Sequence, residues 1–272
     1  MRRHLSLGAG GVLVGGVVVL AVVSLFWGPY DPGLVNAAIT LQGPSGRHLL
    51  GTDGFGRDVL ARILIGARIC VLVGIVAVAI GALVGVPVGI LAGMSRRRVG
   101  RRIMRWADIL YAFPALLLAI LLAAANGTGS TLTAMIAIGI SAVPAFARVA
   151  NSAASGVMSR GYVAAARSSG ISWPAVAWRH VLPNILPVVL VQISSTFGRA
   201  ILAEAALSYL GIGTQPTTPT WGRMLYDAQQ YIYDHPAQVV VPALFIAMAV
   251  LGFNLFGDGL RELLDPRLRQ GD

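Results

Sequence analysis

The sequence predicts an all-α membrane protein with six transmembrane helices and both termini on the cytoplasmic side. Three observations carry that prediction. Of 272 residues, 56% are hydrophobic and 12% are charged, about half the charge fraction of a soluble domain, and the mean hydropathy is +0.74. Six stretches are close to the roughly 20 apolar residues that cross a bilayer core. The 21 basic residues, all of them Arg, are spread unevenly over the segments between those stretches. Backbone groups in lipid must be satisfied within their own segment, which selects helices over open strands.

Residues 8–27 form the first span and contain no charge. Arg2 and Arg3 precede it as in a signal peptide, but the run is too long for a signal core and no small-x-small cleavage site follows. A retained helix is expected. Residues 28–69, rich in Gly, Pro and Asp, read as an external segment. The second span, 70–94, places Gly81, Gly85, Gly89 and Gly93 four apart, hence on one helix face. Such a seam lets another helix approach closely, and Pro87 is expected to bend this span. The third span, 106–125, carries only Asp108, expected to pair with a local charge such as the nearby Arg105 or to sit at the lipid boundary. The fourth, 132–150, carries only Arg148 near one end.

Residues 151–184 form a cytoplasmic loop. The fifth span, 185–210, holds Arg199 and Glu204. Charges within spans are costly and default to functional candidates. At five apart they do not share a face, so no direct pair is expected. Residues 211–237 form a second external loop with Trp221, Tyr226, Tyr231 and Tyr233, suited to a membrane-interface belt or to a protein surface. The sixth span, 238–257, is uncharged. Asp258, Arg261 and Asp265 follow at i, i+3 and i+7, a plausible ladder on one face.

Arginine placement orients these helices. With the N-terminus inside, cytoplasmic segments hold fifteen Arg and external segments five, with Arg199 inside a span. The cluster Arg96, Arg97, Arg98, Arg101, Arg102 and Arg105 decides it, since basic residues stay cytoplasmic and contact anionic headgroups. The same +10 charge on a chain this apolar argues for the membrane rather than nucleic acid.

The composition also excludes chemistry. Without Lys there is no Walker A loop and no Schiff base. One Cys, Cys70, excludes an intrachain disulfide and a thiolate metal cluster, and reads as packing in an apolar span. The four His, His4, His48, His180 and His235, show no metal-ligand spacing. An intramembrane enzyme would need paired acids or a Ser–His arrangement, and a channel would need a filter motif; neither pattern is present.

The cytoplasmic loop is the most informative stretch. Residues 162–169 read as a short Ala-rich helix ended by Gly170. Ser172 then caps a second helix with Pro174 in its first turn, stopping at Pro183. Ala164–Ala165–Ala166, then Gly170, then Leu182 and Pro183 resemble the "EAA" loop of binding-protein-dependent ABC importer permeases. His180 through Asn184 resembles the "HxLPN" ending of the dipeptide/oligopeptide/nickel branch. Further matching blocks are Leu50 to Asp53, Gly56 to Leu60, Gly66 to Arg68, Glu204 to Gly211, Trp221–Gly222, and Phe253–Asn254 through Arg267. The resemblance covers about residues 47 to 267 and is to the C-type permease subunit of those importers. One departure stands out: the family's loop begins with Glu, and here that position is Ala164.

The resemblance implies a type I ABC importer permease fold in one transmembrane domain, 1–272. Residues 1–69 would be the first helix and external segment, 70–257 a five-helix core, and 258–272 a cytoplasmic tail. It implies a multi-pass chain of the bacterial cytoplasmic membrane, not itself an enzyme. Its partners would be a second permease, two ATPase subunits, an extracytoplasmic binding protein and the bilayer, with no nucleic acid. ATP and Mg would be bound by the ATPases, with no cofactor on this chain. The loop residues Tyr162, Ala164, Ala165, Ala166, Arg167, Gly170, His180, Leu182 and Pro183 would dock on the ATPase. His180 there suits hydrogen bonding better than metal. Arg199 and Glu204 are candidates for the pathway or partner-permease surface, and Trp221, Tyr226 and Tyr231 for the binding-protein surface. The expected cargo is a di- or oligopeptide; nickel, glutathione or another small ligand is the alternative.

Overall fold

A computed structural model describes residues 2–125, 130–212 and 218–264. The described residues form helices joined by loops, with no strand among them beyond a lone backbone bridge between Thr52 and Asp58. Five helices are long and apolar enough to cross a membrane, or six if one sharply bent pair forms a single span.

Helix α1 (Arg2–Phe26) packs along the last helix. Helix α2 (Val59–Met94) starts eleven residues before the expected second span. The expected boundary avoided Arg62 and Arg68, but Asp58 caps the helix by accepting from the Ala61 N–H at 2.7 Å. Arg62 lies at ion-pair distance from Asp53 and Asp227, so its charge does not end the helix. The external segment before it is folded: Asn36 caps a 3₁₀ turn over Ala37–Ile39, and Thr52 accepts from the Gln42 N–H.

The third expected span is not one straight helix. Helix α3 (Arg97–Tyr111) and α4 (Ala115–Ala125) meet at a break with a 76° bend. Pro114 explains it: proline lacks the N–H that would continue the ladder and disfavours helical geometry in the residue before it. Asp108 pairs with Arg148 on the following helix at 2.8 Å, not with Arg105. That helix, α5 (Thr131–Met158), runs two turns beyond the expected boundary and shortens the loop.

Helix α6 (Gly161–Ser168) and the single turn α7 (Trp173–Val176) follow. Pro183 does not stop the chain. A π turn over Ala177–Val181 leads into α8 (Leu182–Tyr209), making one helical run, Trp173–Tyr209. The Leu182 N–H reaches back to the Ala177 carbonyl, one residue beyond the α pattern. This widening accommodates a proline near the start of a span. Helix α9 (Trp221–Ala228) folds within the expected external loop against α8 and α10. Helix α10 (Ala237–Leu264) continues past residue 257. Asp265 lies outside the described residues, and no ion pair joins Asp258 to Arg261 among the described ones.

Helices α2 and α5 form the most extensive pair. The glycine seam makes it. A Cβ on Gly81 would sit 2.9 Å from the Phe146 ring, and one on Gly93 2.8 Å from the Ala154 Cβ. At Gly89 it would land on the Ala147 carbonyl oxygen.

Candidate functional site: the hairpin and the polar groups of the spans

The hairpin between α5 and α8 is anchored from within. Val163, Val176 and Val181 are fully buried and join the main core with Ala154 and Ile185. Helix α6 ends as a Schellman motif: the Gly170 N–H donates to the Arg167 carbonyl at 3.0 Å and the Ile171 N–H to Ala166 at 3.2 Å. Gly170 takes φ +83°, the left-handed geometry such an ending requires. Pro174 lies in the first turn of α7 as expected, but the Ser172 side chain makes no capping bond.

The outward face is small and apolar. Tyr162, Ala164 and Ala165 are exposed and Ala166 is half-buried. Arg167 lies over the Trp173 ring at 4.3 Å. The His180 and Tyr162 rings are 6.1 Å apart, and the His180 carbonyl accepts from Asn184 at 2.7 Å. Leu182 is half-buried against the core and Pro183 is exposed. Ala164 is at the surface, so its lack of a carboxylate removes no contact within the chain.

Arg199 and Glu204 lie in different surroundings and do not pair. Arg199 is exposed, its Nε 3.3 Å from the Ser195 carbonyl one turn back. It shares a face of α8 with Gln192 and Ser195. Glu204 is 4% exposed and accepts from the Ser208 hydroxyl at 2.6 Å. Thr220, the cap of α9, supplies a second side-chain hydrogen bond to that carboxylate. Glu204 therefore ties α8 to the start of α9, and it does not face an open path in this chain.

The external aromatics divide. Trp221 is 2% exposed, stacks beside Gly66 and donates from its indole to the Ile63 carbonyl at 3.1 Å. It is an internal anchor, not a surface contact as its loop position suggested. Tyr226 is exposed, Tyr231 packs against Gly54, and Tyr233 is 94% exposed. Groups of three or more potential metal ligands are absent among the described residues.

Residues 85–270 match the family model described as binding-protein-dependent transport system inner membrane component. The chain belongs to that family. A relative in Pseudomonas aeruginosa, the di/tripeptide transport system permease protein DppC, is 41% identical over 96% of this chain and 88% of its own length. The glutathione transport system permease protein GsiD of Pectobacterium atrosepticum is 38% identical over 99% and 89%. Among solved structures, a chain of the MetNI methionine ABC transporter, described as inward facing, aligns with a TM-score of 0.62 at 18% identity. It covers 75% of this chain and 96% of that one. An amino acid ABC transporter aligns at 0.53 and 19%, over 72% and 90%. These two show the fold. This inner membrane component is thus a multi-pass transport subunit of the inner membrane.

In this family member the sequence reading missed one cluster. Arg57 donates to Asp53 at 2.7 Å and to Asp227 at 2.8 Å. Arg62 reaches the same Asp227 oxygen at 3.2 Å, and Arg223 lies 3.1 Å from the other. Three guanidiniums and two carboxylates tie the external segment to α2 and α9. The signal was present as external Arg that violate the charge bias, but the acid between them lies 165 and 170 residues from its partners.

Proposed function

We propose that this chain is a permease subunit of an ATP-driven importer of di- and tripeptides, energised through the hairpin at residues 161–182. The observation that carries the coupling role is the hairpin's division of labour. Three buried valines fix it to the core, while Ala164, Ala165 and Tyr162 present a small apolar surface. A rigid element attached to the bundle moves the spans when it is pushed, as packed interfaces switch rather than deform. The chain has no Lys for a nucleotide loop, so separate ATPase subunits hold ATP and Mg. A second permease completes the path, and an extracytoplasmic binding protein delivers the cargo. Transport needs no covalent chemistry from this chain.

The peptide cargo is supported by the di/tripeptide permease relative at 41% identity. A second reading is glutathione, itself a tripeptide, supported by a relative nearly as similar. Half-buried Gln192 and Ser195 and exposed Arg199 share a face of α8 and supply polar groups for a peptide's path, with Arg199 as the cation for its carboxylate. Tyr226 and Tyr233 are the external aromatics available to the binding protein.

Competition in proteoliposomes separates the two cargoes. With binding protein present, labelled dialanine uptake should be displaced by di- and tripeptides at far lower concentration than by glutathione. The reverse order would select the glutathione reading. Arg199→Gln should keep assembly and lower uptake; unchanged uptake removes Arg199 from the path.

A further inference from the structure

We propose that the groove between the cytoplasmic end of α2 and the hairpin binds one anionic phospholipid of the inner leaflet. The groove has a volume of about 1130 Å³. Val86, Ile90 and Met94 of α2 form one wall, and Trp173, Trp178 and Leu182 form the other. Its lining includes Arg96 and Arg167 and no Asp or Glu.

Depth and charge select the occupant. From Val86 to Met94 helix α2 advances eight residues, about 12 Å at helical rise, close to half of a hydrocarbon core of about 30 Å, and Arg96 follows two residues beyond its end. The groove is therefore one leaflet deep. It is apolar along that depth and cationic where a headgroup sits. Leu91 is 61% exposed and Trp178 72% exposed, so the groove is bordered by large apolar surface that an acyl chain covers. Tryptophan at the boundary suits the interfacial zone. Arg96 is exposed just past the cytoplasmic end of α2. Arg167 lies over the Trp173 ring at 4.3 Å and is exposed. A phosphodiester accepts from such donors, and basic pockets on the cytoplasmic side hold anionic headgroups. The exposed Arg97, Arg98, Arg101 and Arg102 of α3 raise the local potential further. A lipid seated there touches α2 and the hairpin together, so it stiffens the element proposed to receive the ATPase. The site itself does not depend on the cargo or on the coupling role.

The test is native mass spectrometry of the assembled importer, released from membranes containing phosphatidylglycerol. Arg96→Gln and Leu91→Trp alter the groove; Arg105→Gln removes an exposed charge outside it. Wild type and Arg105→Gln should retain phosphatidylglycerol after mild activation. Arg96→Gln should retain about fivefold less, the effect of one interfacial Arg, and Leu91→Trp should lose it by filling the groove. Equal retention in groove variants and control overturns the proposal, whether all keep the lipid or all lose it. Dissociation of the second permease by Leu91→Trp also overturns it, because a protein helix would then be the occupant.

Discussion

Asp227 holds three guanidinium groups, with Arg57 at 2.8 Å, Arg62 at 3.2 Å and Arg223 at 3.1 Å. Removing one member of a buried ionic cluster leaves uncompensated charge and costs about 3–5 kcal/mol. Asp227→Asn should therefore lower the melting temperature of the purified complex and its amount in membranes; an unchanged melting curve would show the cluster to be solvated. Gly170 is a backbone case. With φ +83° and open space around it, Gly170→Ala is strained by conformation alone, at about 1 kcal/mol. It should leave assembly intact while weakening the hairpin, seen as faster amide exchange over 161–172; exchange equal to wild type would argue against it. The contrast explains what was legible. Gly170 and Pro174 obey local backbone rules, so sequence placed them. Asp227 needs partners brought together by folding, and Asp108 chose Arg148, forty residues away, over a neighbour in sequence. Trp221 looked like surface because its loop is polar; its burial depends on Gly66 making room.

At the scale of elements, the seam on α2 is the clearest case of sequence specifying packing. Four glycines on one face admit α5 to backbone contact, the main way membrane helices gain packing energy. Gly89→Leu should displace α5, cost more than the about 1–3 kcal/mol of ordinary overpacking, and abolish accumulation of folded protein. Gly15→Leu on α1, where nothing lies within 4 Å, should accumulate normally. Equal accumulation would refute the seam. Span boundaries were less legible, because a charge in the sequence reads as an end. Arg62 is neutralised by tertiary partners, and the π turn over Ala177–Val181 carries the helix past Pro183. The 76° break falls at Pro114, a proline that marks its span in the sequence, although the angle itself is not legible there. The hairpin's outward face makes its own prediction. Ala165→Trp adds bulk to an exposed position, so the permease pair should assemble while ATPase co-purification drops about tenfold or more, a loss of about 1.4 kcal/mol. Full retention would place docking elsewhere.

For the whole molecule, composition and Arg distribution were enough to specify a helical membrane protein, and the ordered motifs enough to specify its family. The 85–270 match and the two solved folds agree with that reading. Cargo is less visible in this chain, since relatives named for di/tripeptides and for glutathione are 41% and 38% identical to it. In the proposed account the absence of a nucleotide-loop Lys is joined to the hairpin: partner ATPases supply the energy and the hairpin receives it. The most direct measurement is uptake of a labelled dipeptide into proteoliposomes containing both permeases and both ATPases, with binding protein outside and ATP inside. Wild type should accumulate peptide only with ATP, and Ala165→Trp should lose that accumulation while remaining assembled with the second permease. Accumulation without ATP, or equal accumulation in wild type and variant, would contradict the account.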